Sequence, residues 1–413
     1  MKDNVIKIGL RERVRNAAKA FSRDTFVMPK SEHPGINGIM GLTQSGVAVN
    51  LNSAQKFSAV FSCIRIYETV MGSLPIRVTG NVNGSLADLT DGPTYNLLHQ
   101  PNKYMNRYTF MALMNAWLQV NGNAVAVIIH DKNGYPVELV PVEWSSVDVR
   151  LIDRMPVYLI NDKNTGIKGT YLYWQVIHFK INSRNGYMGN SPLSFAKESV
   201  GMGLAAQEYG AEFFAKGGNL KGVIEGEGHM KDEEFKAFKQ RWQEHYTGAG
   251  SNQEVPILEY GLKYKALGIA PQEAQFVESR IFQIQDVARF YGLPPSIIGE
   301  NSRNTFLNGE QQDIQYVKYA LAPLCKSEEL ELEFKLIPLN AKKQENIKFN
   351  LDGLQRGDMN ARSRYEQTLV QAGILTRNEA REIENRPPLP GLDKPLEPAF
   401  LTGKQNTKPE NKE

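Results

Sequence analysis

The stretch from Ser191 to Ile337 constrains the fold more than any other part of this chain, because its punctuation calls for long helices separated by short, differently built segments. Ser191-Pro192 is a helix start: the serine hydroxyl can accept from a free N–H of the first turn, and the fixed φ of proline suits the first helical position. Lys216-Gly217-Gly218 is a stop, since glycine readily enters the left-handed conformation that ends helices. The roughly 26 residues between them span about 39 Å as an α-helix. A second helix is expected from Pro271 to about Tyr291, closed by Gly292-Leu293-Pro294-Pro295. A third is expected from near Gly309, kinked at Pro323, which lacks an N–H to donate to the preceding turn. Between the second and third lies Glu300–Asn308, a polar loop rich in asparagine. Two long helices around an insert, followed by a polar loop, suit a wall beside a hole better than a catalytic pocket.

The flanking parts read as follows. Residues 1–50 form a flexible arm in which Val5–Phe21 can be a basic helix carrying Arg11, Arg13, Arg15 and Lys19, either a nucleic-acid or shell contact or a solvated terminal helix. Ser53–Gly72 has helical spacing, with Phe57, Val60, Phe61, Ile64, Tyr67 and Met71 on one side. A strand at Leu74–Val78, a turn at Asn81–Gly84, and helices at Thr94–His99 and Tyr108–Gln119 follow. From Asn121 the period becomes two: strands at Ala124–His130 and Val137–Val140 flank the turn Asp131-Lys132-Asn133-Gly134. Further strands are expected at Val147–Ile152, Val157–Ile160 and Ile177–Ile181, giving an α+β domain with antiparallel pairing. The insert reads as β-α-β-β: Val223–Glu225, the amphipathic helix Lys231–Tyr246 with Phe235, Phe238, Trp242 and Tyr246 in one stripe, then Val255–Leu258 and Leu262–Leu267. Residues 340–400 read as helical, with Asn360–Ala372 and a capping box at Thr376–Glu379, and 401–413 as a disordered tail.

The 413 residues carry a net charge of only +3, so contact with nucleic acid would lack a strong non-specific electrostatic grip. Cys63 and Cys325 sit in apolar helical contexts and read as buried thiols in a reducing compartment. No apolar run reaches the roughly 20 residues that span a bilayer, so no membrane is expected. There is no phosphate-cradling G-x-x-x-x-G-K-[ST], no H-E-x-x-H, C-x-x-C or EF-hand pattern, and the six histidines are scattered; no catalytic residue, metal or cofactor is expected. Gly201-Met202-Gly203-Leu204-Ala205-Ala206 matches a dinucleotide fingerprint only formally, because no strand precedes it; close helix packing explains its small residues.

Several landmarks, taken in order, resemble the portal proteins of long-tailed bacteriophages. They are Val60–Arg65 with Ser73–Ile76, Leu97–Asn102, Asn121–Ala124, Gly189–Pro192, Phe213–Gly217, Tyr291–Gly299, and Gly373–Glu379 with Pro387–Gly391, together covering about 55–400. Glu384-Asn385-Arg386 departs from the small glycine-bearing turn of that family. The resemblance implies a homo-oligomeric ring, usually of twelve subunits, at one capsid vertex of the virion, assembled in the host cytoplasm. Double-stranded DNA enters and leaves through its channel, and terminase, head-completion or adaptor proteins and the major capsid protein are its partners. It implies a wing at 51–190, stem helices at 191–218 and 271–292, a small α/β clip at 219–270, a wing continuation at 293–339 with a tunnel loop at 300–311 and a long kinked helix, and a helical crown at 340–400. On that map the channel loop offers Asn301, Ser302, Arg303, Asn304, Thr305 and Asn308 to DNA, or is a connector without DNA contact. The clip offers Lys231, Glu234, Lys239 and Arg241 to a partner. The stem charges Glu273, Glu278, Arg280, Asp286 and Arg289 make ion pairs between subunits or lie on solvated faces. The rival readings are another phage head structural protein and a DNA-packaging enzyme.

Overall fold

The computed structural model describes residues 41–82, 85–215, 222–225, 231–246, 262–266, 270–300, 306–337, 345–351, 359–384 and 386–396. The terminal helix expected within 5–21, the strand expected at 255–258, loop residues 301–305 and the tail 401–413 lie outside them. The chain divides into a unit ending at Phe349 and a second beginning at Asn350.

The first unit opens with a small hairpin, β1 (Gly41–Leu42) and β2 (Ala48–Val49), and a short helix α1 (Leu51–Gln55) started by a reciprocal Asn50–Ser53 capping box. α2 (Ser58–Ser73) follows, so the single helix expected at 53–72 is broken at Lys56-Phe57, where Phe57 turns extended and buries its ring. α2 packs Val60, Ile64, Tyr67 and Met71 inward, but Phe61 is 54% exposed: it lies about 100° round the helix from Val60. β3 (Ile76–Val82) and β4 (Ser85–Leu89) form the next hairpin, then come α3 (Pro93–His99) and α4 (Arg107–Asn121). Asn106 caps α4 by accepting from Thr109 N–H at 2.9 Å.

β5 (Asn123–His130) and β6 (Pro136–Val142) are joined through the expected Asp131–Gly134 turn. A meander of β7 (Val147–Ile152), β8 (Met155–Asn161) and β9 (Lys168–Leu172) follows, and β10 (Val176–Lys180) returns to pair with β5. The sheets β10-β5-β6 and β7-β8-β9 are both antiparallel. Val125, Val127, Val142 and Val176 of one meet Val149, Tyr158 and Ile160 of the other around Trp144 and Met188. The alternate-residue spacing of 125/127 and 158/160 is the pleat directing one face of each strand inward.

The remaining elements are α5 (Pro192–Ala215), β11 (Gly222–Glu225), α6 (Asp232–Tyr246), β12 (Lys263–Ala266), α7 (Ala270–Phe290), α8 (Phe306–Tyr316), α9 (Ala322–Leu336) and β13 (Glu345–Phe349). β11 and β12 pair antiparallel at the base of the insert. β13 pairs with β3, completing a sheet of order β13-β3-β4, so the helical segment expected from residue 340 begins only after Phe349.

α9 shields the edges of two sheets. Glu331 accepts the His178 N–H of β10 at 3.0 Å, while Glu333 and Glu329 accept the Ile347 and Phe349 N–H groups of β13 at 3.0 and 2.8 Å. Carboxylates thus satisfy edge donors that would otherwise template pairing with another strand.

In the second unit α10 (Met359–Gln371) precedes α11 (Arg377–Ile383), which starts at the expected capping box: Glu379 N–H donates to Thr376 Oγ1 at 3.1 Å and Thr376 N–H to Glu379 Oε2 at 2.7 Å. The buried Asn378 side chain then ties Leu389 and Asp393 to this helix.

Candidate functional site: the paired helices and their footing

α5 leaves the sheet at a junction where two glycines touch. Gly122, at φ 73°, ends α4, and a Cβ on it would lie 2.2 Å from the Asn190 carbonyl carbon. A Cβ on Gly189 would lie 2.0 Å from the Gly122 oxygen. Asn123 fastens this crossing: its Oδ1 accepts Gly189 N–H at 2.7 Å and its Nδ2 donates to the Gly189 and Asn121 carbonyls, both at 3.0 Å. The buried His178 ring completes the knot, with Nε2 3.0 Å from Asn123 Oδ1 and Nδ1 2.9 Å from the Tyr158 hydroxyl. Since Asn123 Oδ1 can only accept, Nε2 carries the hydrogen and Nδ1 accepts from Tyr158. Burial, with Lys180 and Lys335 nearby, pushes the imidazole well below its ordinary value, so it is neutral. Ser191 caps α5 as expected, accepting Leu193 N–H at 3.1 Å while its hydroxyl donates to the Val120 carbonyl.

α5 packs along α7. Gly201 sits against Thr43 and Gly203 against the Phe57 ring, where a Cβ would come within 2.5 and 2.7 Å respectively; the formal dinucleotide fingerprint is a packing surface. Ser199 donates to Asp286 of α7, which also faces Arg289 at 3.5 Å. Two of the stem charges therefore meet each other and α5 within one subunit. Glu278 and Arg280 are exposed on α7, and the Glu273 side chain lies outside the described residues. α7 ends at Gly292, φ 68°, and the Tyr67 hydroxyl donates to the Tyr291 carbonyl at 2.7 Å, tying that end to α2. Cys63 lies in this apolar region, its thiol pushed up to about 12 by burial, and both cysteines are free.

The third helix begins at Phe306, three residues before the expected Gly309. Asn308, expected in the polar loop, and the loop's stretch to 311 are therefore helical, while Asn301, Ser302, Arg303, Asn304 and Thr305 lie outside the described residues. α8 runs into α9 through a π-helical turn, Val317–Leu321, with Ala322 N–H bonded to the Val317 carbonyl. Pro323 explains it: without a donor for the Tyr319 carbonyl, the preceding turn widens by one residue. In the insert, Lys231 precedes α6 while Glu234, Lys239 and Arg241 lie on it; the first three are exposed, and the Arg241 side chain is outside the described residues. Phe235, one member of the aromatic stripe of α6, is exposed as well.

Sequence reasoning missed a row on α5. Phe195, Met202 and Tyr209 are 43%, 46% and 57% exposed and stand seven residues apart, which places them on one face two turns from one another. The Arg184 guanidinium covers Phe195 from 5.4 Å. The seven-residue spacing was readable, but on a helix this apolar it could not be told from a core stripe.

A family model described as phage portal protein matches residues 58–385. The chain belongs to the phage portal protein family. It is 29% identical over 352 residues to the portal protein of Enterobacteria phage HK97, covering 84% of this chain and 82% of that one. It is 28% identical over 391 residues to a probable portal protein of Streptomyces phage phiC31, covering 91% and 85%. Among solved structures it shares its fold with a chain in the neck of a native GTA particle computed with C12 symmetry, at a TM-score of 0.56, 17% identity, and coverage of 91% of this chain and all of that one. Portal family landmarks now acquire physical reasons: Asn121–Ala124 and Gly189–Pro192 are the two sides of the backbone crossing that seats α5.

Proposed function

We propose that this portal-family chain is the non-enzymatic subunit of a ring, of twelve copies, set at one vertex of a phage capsid and assembled in the host cytoplasm. In this reading the ring is the channel through which double-stranded DNA is packaged and ejected, and it docks terminase, then head-completion or adaptor proteins, within a shell of major capsid protein. The observation that supports the assembly is the row Phe195–Met202–Tyr209 on α5, 43%, 46% and 57% exposed in the subunit: a head-to-tail contact repeated by rotation would bury it in every copy and close without leaving an edge. Residues 51–190 act as wing, α5 and α7 as stem, 219–270 as clip with Lys231, Glu234, Lys239 and Arg241 as its partner face, and the unit after Phe349 as crown. Residues 301–305 are the channel loop, whose single cation, Arg303, gives modest attraction to a duplex that must keep moving. Glu273, Glu278 and Arg280 pair with the neighbouring copy, a role that the exposure of Glu278 and Arg280 on α7 supports.

Light scattering and negative-stain imaging of the purified chain test this. At 46.4 kDa per subunit, twelve copies should scatter as a particle of about half a megadalton and image as an annulus. A species that stays monomeric at every concentration and salt overturns it.

A further inference from the structure

Glu328 stands apart from the other acids of α9. Glu329, Glu331 and Glu333 each accept a backbone N–H from a sheet edge. Glu328 is 1% exposed, and its partner is the Asn115 side-chain amide of α4, which donates to Oε2 at 3.5 Å, the outer limit of a hydrogen bond. The same amide donates to the Met111 carbonyl at 3.1 Å. Two buried acceptors remain without a hydrogen-bond partner among the described residues, Glu328 Oε1 and Asn115 Oδ1. An ionised carboxylate is among the costliest groups to bury under such conditions. A neutral carboxyl group removes both faults, because it carries no charge and its O–H is the donor the two acceptors lack.

We propose that Glu328 is a carboxylic acid whose hydroxyl donates to the Asn115 side-chain oxygen, and that the contact between α4 and α9 is a latch held by this proton. The surroundings agree. Burial raises the carboxyl to about 8, with the Asn115 amide acting weakly in the opposite direction. On α9 the neighbouring titratable groups are Cys325, a thiol raised chiefly by burial, and Glu329, which is engaged by Lys326 and Phe349 N–H. From α4 the facing group is Asn115, which is uncharged, and from α2 the Met71 thioether lies 3.7 Å from Cys325 Sγ. The cation in this set, Lys326, is held by Glu329 at 3.3 Å rather than by Glu328. Because the folded value lies above the ordinary 4.5, the latch stabilises fully below about pH 4.5, weakens as pH rises, and is gone above about pH 8. The other carboxylates of α9 hold β10 and β13, so loosening α9 at alkaline pH reaches two sheet edges.

The test is the thermal unfolding midpoint of the full chain from about pH 5 to pH 9, for the native protein and Glu328→Gln, which keeps a donor and cannot titrate. The native midpoint should fall relative to that of the variant as pH rises towards about 8 and run parallel to it above; parallel midpoints across the whole range overturn the proposal. Infrared spectroscopy of the native protein needs no variant. A protonated-carboxyl band present at neutral pH and lost above about pH 8 supports the latch, and its absence at neutral pH overturns it.

Discussion

At and along α5 the chain buries Ser191, Ser199, Gly201 and Gly203 and leaves Phe195, Met202 and Tyr209 in solvent, whereas α9 buries Glu328 and Glu329 while leaving Leu330 and Phe334 outside. Each helix departs from the ordinary apolar-in, polar-out arrangement, for different reasons. Small and hydroxyl residues line α5 because backbone and rings press against it: Thr43 on Gly201, Phe57 on Gly203, and the carboxylate of Asp286 on Ser199. Acids line α9 because two sheet edges present N–H groups that need acceptors. Glu329, Glu331 and Glu333 of α9 are thus satisfied within the subunit, while Phe195, Met202 and Tyr209 of α5 keep large exposed surfaces.

The strongest way to break this contrast is at the footing of α5. Gly189→Ala places a methyl 2.0 Å from one carbonyl oxygen and 2.7 Å from another, and neither is a flexible side chain that can move aside. The crossing should reopen at a cost of about 3–5 kcal/mol, a large share of a typical domain's stability. Chemical denaturation measures it, and a cost within about 0.5 kcal/mol of native would mean the crossing is not load-sharing. By contrast Met202→Asp changes a side chain that touches solvent. The isolated subunit should unfold within about 0.5 kcal/mol of the native one, yet ring formation should be lost, because a buried unpaired carboxylate would be repeated in every copy. Sedimentation velocity distinguishes the outcomes: rings formed normally by this variant would remove α5 from the interface.

Much of this contrast could be read from sequence, and what could not has a common cause. Local chemistry was legible: the Ser191-Pro192 start, the Gly292 stop, the Thr376–Glu379 box and the Asp131–Gly134 turn each depend on residues within one turn of the chain. The small-residue run at 201–206 was also legible as a packing surface. The pairing of β13 with β3 was not, because its partners are separated by more than 260 residues and neither strand names the other. β9, Lys-Gly-Thr-Tyr-Leu, escaped because this edge strand exposes its first three residues in a row and so shows no clean alternation. Phe61 and the α5 row misled in one shared way: helical spacing identifies apolar residues, but only a completed core reveals which are surplus to it. The expected stem charges illustrate the converse: sequence leaves Asp286 and Arg289 either paired between subunits or solvated, whereas in the structure they face each other, and Ser199 of the same chain donates to Asp286.

A smaller effect sharpens the α9 side. Glu333 Oε1 accepts the N–H of Ile347, a residue with no exposure at all, at 3.0 Å. Glu333→Ala leaves that donor stranded at the edge of β13 and should cost about 1–3 kcal/mol. Glu333→Gln retains a side-chain carbonyl that can accept from the same N–H, and should recover most of the loss. If the two variants were equally destabilised, charge rather than edge satisfaction would be what Glu333 contributes. If neither lost stability, the acids of α9 would be a solvated face after all, and its difference from α5 would reduce to the exposed row alone. Hydrogen exchange at Ile347 reads the same question locally, since that amide should open faster in Glu333→Ala than in Glu333→Gln while protection in β5 is unchanged.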